Sequence, residues 1–260
     1  MNTALKNKNL QKVTFIKHWT ENLFSFRIQR PASFKFRSGE FVMIGLANQD
    51  GKPILRAYSI ASPSWSEELE FYSIIVKDGP LTSRLKNIIV NDEIILMPKP
   101  TGTLVLDALK PGKRLFLLSS GTGFAPFSSL IREPETFEKF EKVIVTHTCR
   151  TVKELKYSQD VINDALSDEM ISEFISNKLI FYHSTTREDY INKGRITDLI
   201  TSHKLFKDLD IKKISKDDRI MICGSMGLNN DLKDILGNLN LNEGANNNPA
   251  EFVLEKAFVG

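Results

Sequence analysis

LFLLSSGTGFAP (Leu115–Pro126) is a strongly apolar run followed by a glycine-rich turn and a proline. The apolar run predicts a buried strand. The proline predicts the start of a helix, because the first helical turn needs no N–H from that residue. Glycines between a strand and a helix let a phosphate approach the backbone closely. Such a turn is often only a tight connection, so phosphate binding and a plain turn are both open here.

The chain after this turn alternates between apolar runs and helix-like segments, which is typical of a parallel sheet. Further strands are predicted at 143–146, 179–183 and 219–223, and helical segments at roughly 152–176, 197–201 and 227–236. The Asn-rich segment 238–248 is predicted to be a loop before a terminal strand. The second half of the chain is therefore predicted to be an α/β domain.

The chain before this turn consists of short β-branched and aromatic runs separated by turn signals, a pattern that indicates an antiparallel β-barrel. The predicted strands lie at 13–16, 23–28, 41–46, 69–76, 94–97 and 103–106, with one helix-like stretch at 81–89. We predict two domains, over residues 1–106 and 107–260, joined by the linker-like segment 107–113.

The segment RAYS (Arg56–Ser59) lies in a strand-like part of the barrel. Arg56 can bind a phosphate, Tyr58 can pack against a flat heterocycle, and Ser59 can hydrogen-bond the edge of that ring. An ordinary barrel strand with an exposed arginine is the alternative.

A second phosphate-directed segment is GPLTS (Gly79–Ser83), a turn glycine followed by hydroxyl side chains at a helix start. Backbone N–H groups and these hydroxyls can point at one anion, although Thr and Ser are also common as plain helix caps. Upstream residues that could border the same ligand, or simply belong to the core, are Tyr72, Ser73, Ile75 and Val76.

Three strand ends of the α/β half carry further candidate residues, because ligands of open α/β sheets bind at the carboxyl ends of strands. Arg187, beside Thr186, and Arg195 can clamp the 2′-phosphate of an adenine dinucleotide, or can be solvated loop residues. Cys223 and Gly224 follow an apolar strand and can admit a flat ring, although a cysteine there is commonly just a small buried residue. Arg150 is a further phosphate candidate.

Composition and charge exclude several classes of protein. Lysine and arginine number 35 against 32 acidic residues, and a formal charge of +3 is too small to indicate nucleic-acid binding. The two cysteines and four histidines show no metal-ligand spacing, so no metal site is expected. No segment resembles a membrane span or a secretory signal. We expect a cytoplasmic protein without membrane insertion. We also expect a monomer, because no hydrophobic stripe in the sequence indicates a dimer interface. Any redox chemistry should come from an organic cofactor.

Taken together, the longer motifs closely resemble the ferredoxin–NADP⁺ reductase family, specifically its bacterial branch with an Ala-Phe-Val tail. The runs that carry the resemblance are 39–46, 56–59, 78–83, 100–103, 121–126, 223–225 and 255–259. The resemblance implies an FAD-binding barrel over residues 1–106. It also implies an NADP-binding α/β domain over residues 107–260, whose C-terminal tail returns to the flavin.

The resemblance also implies roles for single residues. For FAD, it implies Arg56 at the pyrophosphate, Tyr58 on the isoalloxazine and Ser59 near flavin N5, with Ala57 as a further cofactor-binding residue. The diphosphate would be held by Gly79, Leu81, Thr82 and Ser83, while Ala257 and Phe258 would cover the flavin and its adenine end. NADP(H) would be bound by Thr122, Gly123, Arg150, Thr186, Arg187, Arg195, Cys223 and Gly224. The implied catalytic residues are Ser59, Cys223, Glu255 and Ala257.

The implied activity is hydride transfer between NADPH and FAD, followed by single-electron transfer to ferredoxin or flavodoxin in a transient, electrostatic complex. One alternative is the reductase of an oxygenase, or a free-flavin reductase on the same scaffold. An alternative of another class is a non-catalytic flavin-binding redox sensor, which would not need the paired phosphate arginines.

Overall fold

A six-stranded antiparallel sheet forms the N-terminal half of the computed structural model, which describes residues 9–256 and only the backbone of Lys256. Its strands run in the order β4-β3-β6-β1-β2-β5. Their bounds are β1 Leu10–His18, β2 Leu23–Gln29, β3 Phe41–Ala47, β4 Pro53–Ser59, β5 Glu68–Ile74 and β6 Glu93–Leu96. The predicted antiparallel half is confirmed.

Alternation along β2 shows why these residues form a barrel wall. Phe24, Phe26 and Ile28 are two residues apart, so they point to one face, where all three are completely buried. The sheet curls until its two outer strands meet, and the Tyr58 hydroxyl of β4 lies 3.0 Å from Ser73 Oγ of β5. The cleft described below is bordered by this junction.

Two sequence predictions in this half are wrong in detail. Residues 103–106 form no strand, since the chain pairs with Phe41 only at Thr101 and then enters a 3₁₀ turn at Leu106–Ala108. Leu104 is fully buried in the core shared with the second domain, so its apolar neighbourhood reflects burial and not sheet pairing. The helix predicted at 81–89 is only Thr82–Leu85.

A five-stranded parallel sheet with the order β11-β10-β7-β8-β9 forms the second half. Its strands are β7 Arg114–Ser120, β8 Lys142–Cys149, β9 Leu179–Thr185, β10 Asp218–Gly224 and β11 Phe252–Lys256. The helices are Ala125–Leu130, Pro134–Lys139, Lys156–Ser167, Ser172–Ile175, Ile196–Thr201, Lys204–Asp208 and Met226–Asn238. The predicted α/β half is confirmed, although two short helices, Pro134–Lys139 and Lys204–Asp208, were not predicted.

The central strand β7 explains the position of the glycine-rich turn. Leu115 and Leu117 belong to the core on one face of the sheet, and Phe116 and Leu118 to the core on the other, so β7 is buried on both sides. The chain order reverses on its two sides, with β8 on one and β10 on the other. The turn after β7 therefore lies at the topological switch point, where ligands of open α/β sheets bind.

Hydrogen bonds join the two domains behind the clefts. Arg132 donates to the Ala61 carbonyl at 2.6 Å and to Glu70 Oε2 at 3.2 Å, and the Tyr157 hydroxyl donates to Glu70 Oε1 at 3.2 Å. Arg132 and Tyr157 come from the α/β half, whereas Ala61 and Glu70 come from the barrel. These contacts, partly buried at Arg132 and fully buried at Tyr157, fix how the barrel and the sheet edge face each other.

Candidate functional site

One cleft lies between the barrel and the turn after β7, and we call it the barrel cleft. Its walls contain many of the residues singled out from the sequence, namely Ala57, Tyr58, Ser59, Tyr72, Ser73, Thr82, Thr122 and Glu255. The other lining residues are Phe41, Ile74 and Ala125, which were not predicted. Residues far apart in the chain thus meet around one space.

The Tyr72 side chain is an unusual part of this wall. Its ring stacks on Tyr157, with centroids 4.0 Å apart and planes 16° apart. Its hydroxyl is buried and has no hydrogen-bond partner within residues 9–256. Burial raises the pKa of Tyr72, so the phenol keeps its proton. A buried polar atom usually has a partner, so this orphaned hydroxyl fits a cleft that receives a polar ligand.

Glu255 brings a carboxyl group to the same cleft from β11. It accepts hydrogen bonds from the Thr103 N–H and from Thr103 Oγ1, the latter at 3.2 Å. Burial raises its pKa, and the Thr103 hydrogen bonds oppose that rise. A carboxyl group with a raised pKa can hold or give up a proton closer to neutral pH than a solvated one.

The GPLTS segment takes a shape in which only part of the predicted anion-binding set is available. Thr82 Oγ1 accepts from the Val76 N–H at 3.1 Å and lies 3.3 Å from the Val76 carbonyl. This hydroxyl is therefore engaged by the backbone of the preceding turn. A Cβ on Gly79 would come within 2.5 Å of Thr82 Oγ1, which explains the glycine. Leu81 is buried in the barrel core, and the Ser83 N–H donates to the Gly79 carbonyl.

Arg56 and Ile75 lie beside the barrel cleft without lining it. Arg56 is half-buried and donates from Nη1 to the Leu55 carbonyl at 2.9 Å. Ile75 packs against the barrel core. The predicted tail residues Ala257 and Phe258 lie outside the described residues.

A second cleft adjoins the first, and we call it the strand-end cleft. It lies at the carboxyl ends of the parallel strands and shares Ile74 and Thr122 with the barrel cleft. Its lining includes the predicted residues Val76, Arg150 and Thr186, and also Ser120, Gly121, Thr148, Cys149, Glu154, Ser225 and Met226. Several of these are strand-end residues, so the strand-end rule applied to every strand would have found Ser120 and Thr148.

Three arginines follow β8 and β9 in the chain, and of these Arg150 lines the strand-end cleft whereas Arg187 and Arg195 do not. Arg150, Arg187 and Arg195 are all exposed, and the Arg187 N–H donates to the Arg150 carbonyl at 3.0 Å. None of the three forms an ion pair with another residue in the part of the chain that the structure describes. These cations are therefore free to bind an anionic ligand, and guanidinium suits phosphate.

Gly123 makes a close contact with the neighbouring strand end. A Cβ at this position would lie 2.0 Å from the Cys223 carbonyl oxygen. Cys223 itself is buried, lines neither of the two clefts, and has a pKa raised by burial and secondarily by Glu255. Its sulfur is thus a neutral thiol behind the cleft wall. Gly224 is also buried, next to Ser120 and Leu228.

The contact at Gly123 predicts a large cost for Gly123→Ala. We expect the free energy of unfolding to fall by about 2–3 kcal/mol, because the added methyl group overlaps the backbone. Gly121→Ala is the matched control, since Gly121 has φ +53° and nothing within 4 Å. That control should cost only about 1 kcal/mol of backbone strain. Urea unfolding of both variants measures this, and equal costs would contradict the account of the turn.

The His147 ring contacts the glycine-rich turn after β7. Nε2 lies 2.9 Å from the Gly121 carbonyl and Nδ1 lies 2.7 Å from Ser158 Oγ. Because a carbonyl only accepts, Nε2 carries the proton of the neutral ring. Burial lowers the pKa of His147 to about 4. The histidine is therefore a neutral structural support.

This low pKa predicts an acid-sensitive fold. An unfolded histidine binds a proton near pH 6.5, whereas folded His147 resists protonation until about pH 4. The contribution of His147 to the free energy of unfolding is therefore fully present above pH 6.5. It falls by up to about 3 kcal/mol as the pH drops towards 4. Urea unfolding across this range should show a steeper pH dependence for the wild type than for His147→Asn. The exposed His203→Asn serves as control, and an unchanged slope in His147→Asn would contradict the assignment.

Two absences concern the described residues alone. No helix within residues 9–256 is long and apolar enough to cross a bilayer. Over that range, no group of three or more His, Cys, Asp or Glu side chains is arranged to hold a metal ion.

Comparison with known sequences matches both halves of the chain. Residues 8–106 match the oxidoreductase FAD-binding domain family, and residues 117–234 match the oxidoreductase NAD-binding domain family. A flavodoxin/ferredoxin–NADP reductase from Rhodobacter capsulatus is 58% identical over 96% of this chain and 93% of its own length. A ferredoxin–NADP reductase from Azotobacter vinelandii is 46% identical over 98% of this chain and 99% of its own length.

A solved structure is similar over nearly the same span. It is a ferredoxin NADP⁺ reductase from Neisseria gonorrhoeae with bound FAD and NADP. It superimposes with a TM-score of 0.86 at 27% identity, covering 96% of this chain and 98% of that one. The similarity therefore extends over both domains and both clefts.

Proposed function

The chain belongs to the ferredoxin–NADP reductase family, and on this premise we propose that it is the enzyme that exchanges electrons between NADPH and ferredoxin or flavodoxin. The observation that carries the proposal is the pair of adjoining clefts. One lies against the barrel, the other lies at the switch point of the parallel sheet, and Thr122 lines both. Two ligands bound in them would meet at Thr122.

The residues of the barrel cleft fit FAD. The orphaned Tyr72 hydroxyl offers a polar contact, and Tyr58 and Ser59 come from one strand edge. When bound, FAD accepts a hydride from NADPH and releases its electrons singly. The residues proposed to hold it are Arg56, Ala57, Tyr58, Ser59, Tyr72, Ser73, Ile75, Val76, Gly79, Leu81, Thr82 and Ser83, with Ala257 and Phe258 beyond the described residues.

The strand-end cleft fits NADP(H). The glycine turn allows close backbone approach, and the unpaired arginines favour phosphate, including a 2′-phosphate. The proposed residues are Thr122, Gly123, Arg150, Thr186, Arg187, Arg195, Cys223 and Gly224. Arg187 and Arg195 are exposed and form no ion pair within residues 9–256, so in that part of the chain no ion pair has to break before they bind the ligand.

At the reacting centre the protein aligns the two cofactors and offers a carboxyl group that can hold a proton. The redox chemistry itself belongs to the cofactors. Ser59 and Glu255 both line the barrel cleft. We propose that Ser59 donates or accepts a hydrogen bond at the ring edge and that Glu255 holds a proton at its carboxyl. Cys223 is proposed to border the nicotinamide as a thiol, and Ala257 to leave space at the flavin face.

The partner complex is proposed to be transient and electrostatic, formed by a monomeric protein in the cytoplasm. Both cysteines are buried and free, which suits a reducing compartment. The division into residues 1–106 and 107–260 is kept as a proposal. It is supported by the change from an antiparallel to a parallel sheet between β6 and β7.

Carrier-dependent reduction tests the proposed function. Purified protein with NADPH should reduce cytochrome c slowly alone and much faster when ferredoxin or flavodoxin is added. Free flavin in place of the carrier is the control. Strong stimulation by free flavin but none by either carrier would contradict the proposal and favour a free-flavin reductase.

A further inference from the structure

Asn229 is a buried polar side chain that joins the two sides of the candidate site. It lies in the first turns of the helix Met226–Asn238, and the residue is 2% exposed. Its Nδ2 donates to the Glu255 carbonyl oxygen at 2.8 Å, and its own N–H donates to the Ser225 carbonyl at 3.0 Å. Asn229 therefore links the helix after β10 to the end of β11.

The orientation of the Asn229 amide is determined by chemistry. The Glu255 carbonyl oxygen can only accept a hydrogen bond, so the NH₂ group must face it. Oδ1 is then directed elsewhere, and it is buried without a hydrogen-bond partner in residues 9–256. A buried acceptor without a partner lowers the free energy of unfolding. An apolar side chain at this position would avoid that cost, but it would also lose the hydrogen bond to Glu255.

Glu255 is held from two directions. Thr103 donates to its carboxyl group, and Asn229 donates to its backbone carbonyl. In the sheet, Glu255 is paired with Cys223 of β10. The titratable groups that face its carboxyl are Cys223 and, before β3, Glu40. Losing the Asn229 bond would remove one of the contacts that hold the peptide carrying the Glu255 side chain, leaving the strand pairing and the Thr103 bonds.

We propose that Asn229 is a positioning residue that fixes the Glu255 carboxyl in the barrel cleft. It touches neither cleft and acts only through Glu255. This inference rests on the proposed function, since it assumes that the barrel cleft binds FAD and that Glu255 faces it.

The first test compares Asn229→Leu with Asn230→Leu in the FAD-bound enzyme. Both changes remove an amide from the same helix, but Asn230 is exposed. We expect Asn229→Leu to slow flavin bleaching by NADPH about tenfold, as a small misplacement does, with little change in KM. The visible spectrum of its bound FAD should also shift. Asn230→Leu should match the wild type in rate and spectrum.

The second test uses Asn229→Asp across a pH series. The protonated carboxyl can donate to the Glu255 carbonyl as the amide does, whereas the carboxylate repels it. We expect a near wild-type spectrum and rate at low pH, and a loss of roughly tenfold as the pH rises through the raised pKa of this buried acid. Asn230→Asp should show no such step.

The outcomes separate this inference from the proposed function. Wild-type protein that is not reduced by NADPH would overturn the proposed function itself. A functional wild type with unchanged rate and FAD spectrum in Asn229→Leu would overturn the positioning role alone. A pH-dependent loss of rate in Asn229→Asp without any defect in Asn229→Leu would mean that the added charge alone causes the loss. That result would also overturn the positioning role. Circular dichroism and FAD content exclude variants that are merely unfolded.

Discussion

Replacing Arg187 and Arg195 together by alanine is expected to lower the preference for NADPH over NADH by roughly 30- to 700-fold. Each exposed guanidinium should contribute about 1–2 kcal/mol to binding a 2′-phosphate, less than at a dry site because solvent and salt screen it. NADH has no 2′-phosphate, so its turnover should hardly change. The ratio of kcat/KM for the two nucleotides measures the effect.

The matched control is Lys193→Ala. Lys193 is a cation of the same loop, but it is already paired with Asp189 at 2.5 Å. The Lys193→Ala variant should therefore keep the wild-type preference for NADPH over NADH. Equal losses with NADPH and NADH in the double variant would contradict a 2′-phosphate site and point to pyrophosphate contacts or a folding defect.

Arg56→Ala is expected to weaken FAD binding by roughly ten- to a hundredfold. The variant removes one charged hydrogen-bond partner of the pyrophosphate, worth about 1.5–3 kcal/mol. Among residues 9–256 the side chain bonds only the adjacent Leu55 carbonyl, so little folding stability should be lost. FAD affinity is measured by titrating the apoprotein and following flavin fluorescence.

Lys52→Ala controls for a general loss of charge, since Lys52 is an exposed cation just before β4. It should bind FAD as the wild type does. If Arg56→Ala retains FAD as tightly as the wild type, the assignment of the RAYS motif to the pyrophosphate is wrong.

Most of the fold could be predicted because its signals are local. The alternation of Phe24, Phe26 and Ile28 indicates a strand with one buried face, and the unbroken apolar run of β7 indicates a strand buried on both. Leu104 misled the prediction because apolar runs at a domain junction look like strands. Only tertiary structure tells the two apart.

Some of the residues that line the two clefts were singled out from the sequence, whereas their arrangement was not. The sequence motifs and the family resemblance pointed to Tyr58, Tyr72 and Thr122, which line one cleft. It could not show that Tyr157, from the other domain, stacks behind Tyr72. Nor could it show that Asn229 bonds the Glu255 backbone. These contacts join residues distant in sequence and have no local pattern.

A non-catalytic flavin sensor is disfavoured by the same geometry. A flavin-binding module needs only the barrel cleft, whereas this protein also has a strand-end cleft lined by Arg150 and Thr186. Arg150, Arg187 and Arg195 are all exposed and form no ion pair among residues 9–256. The two clefts meet at Ile74 and Thr122. This arrangement suits two ligands that react with each other.

Anaerobic single-turnover mixing of the FAD-bound protein with NADPH tests the central claim most directly. The flavin absorbance should bleach in one rapid phase, faster with NADPH than with NADH. The phase should slow when the transferred hydrogen of NADPH is replaced by deuterium. A flavin that stays oxidised in the presence of excess NADPH would contradict the assignment of the two adjoining clefts to FAD and NADP(H).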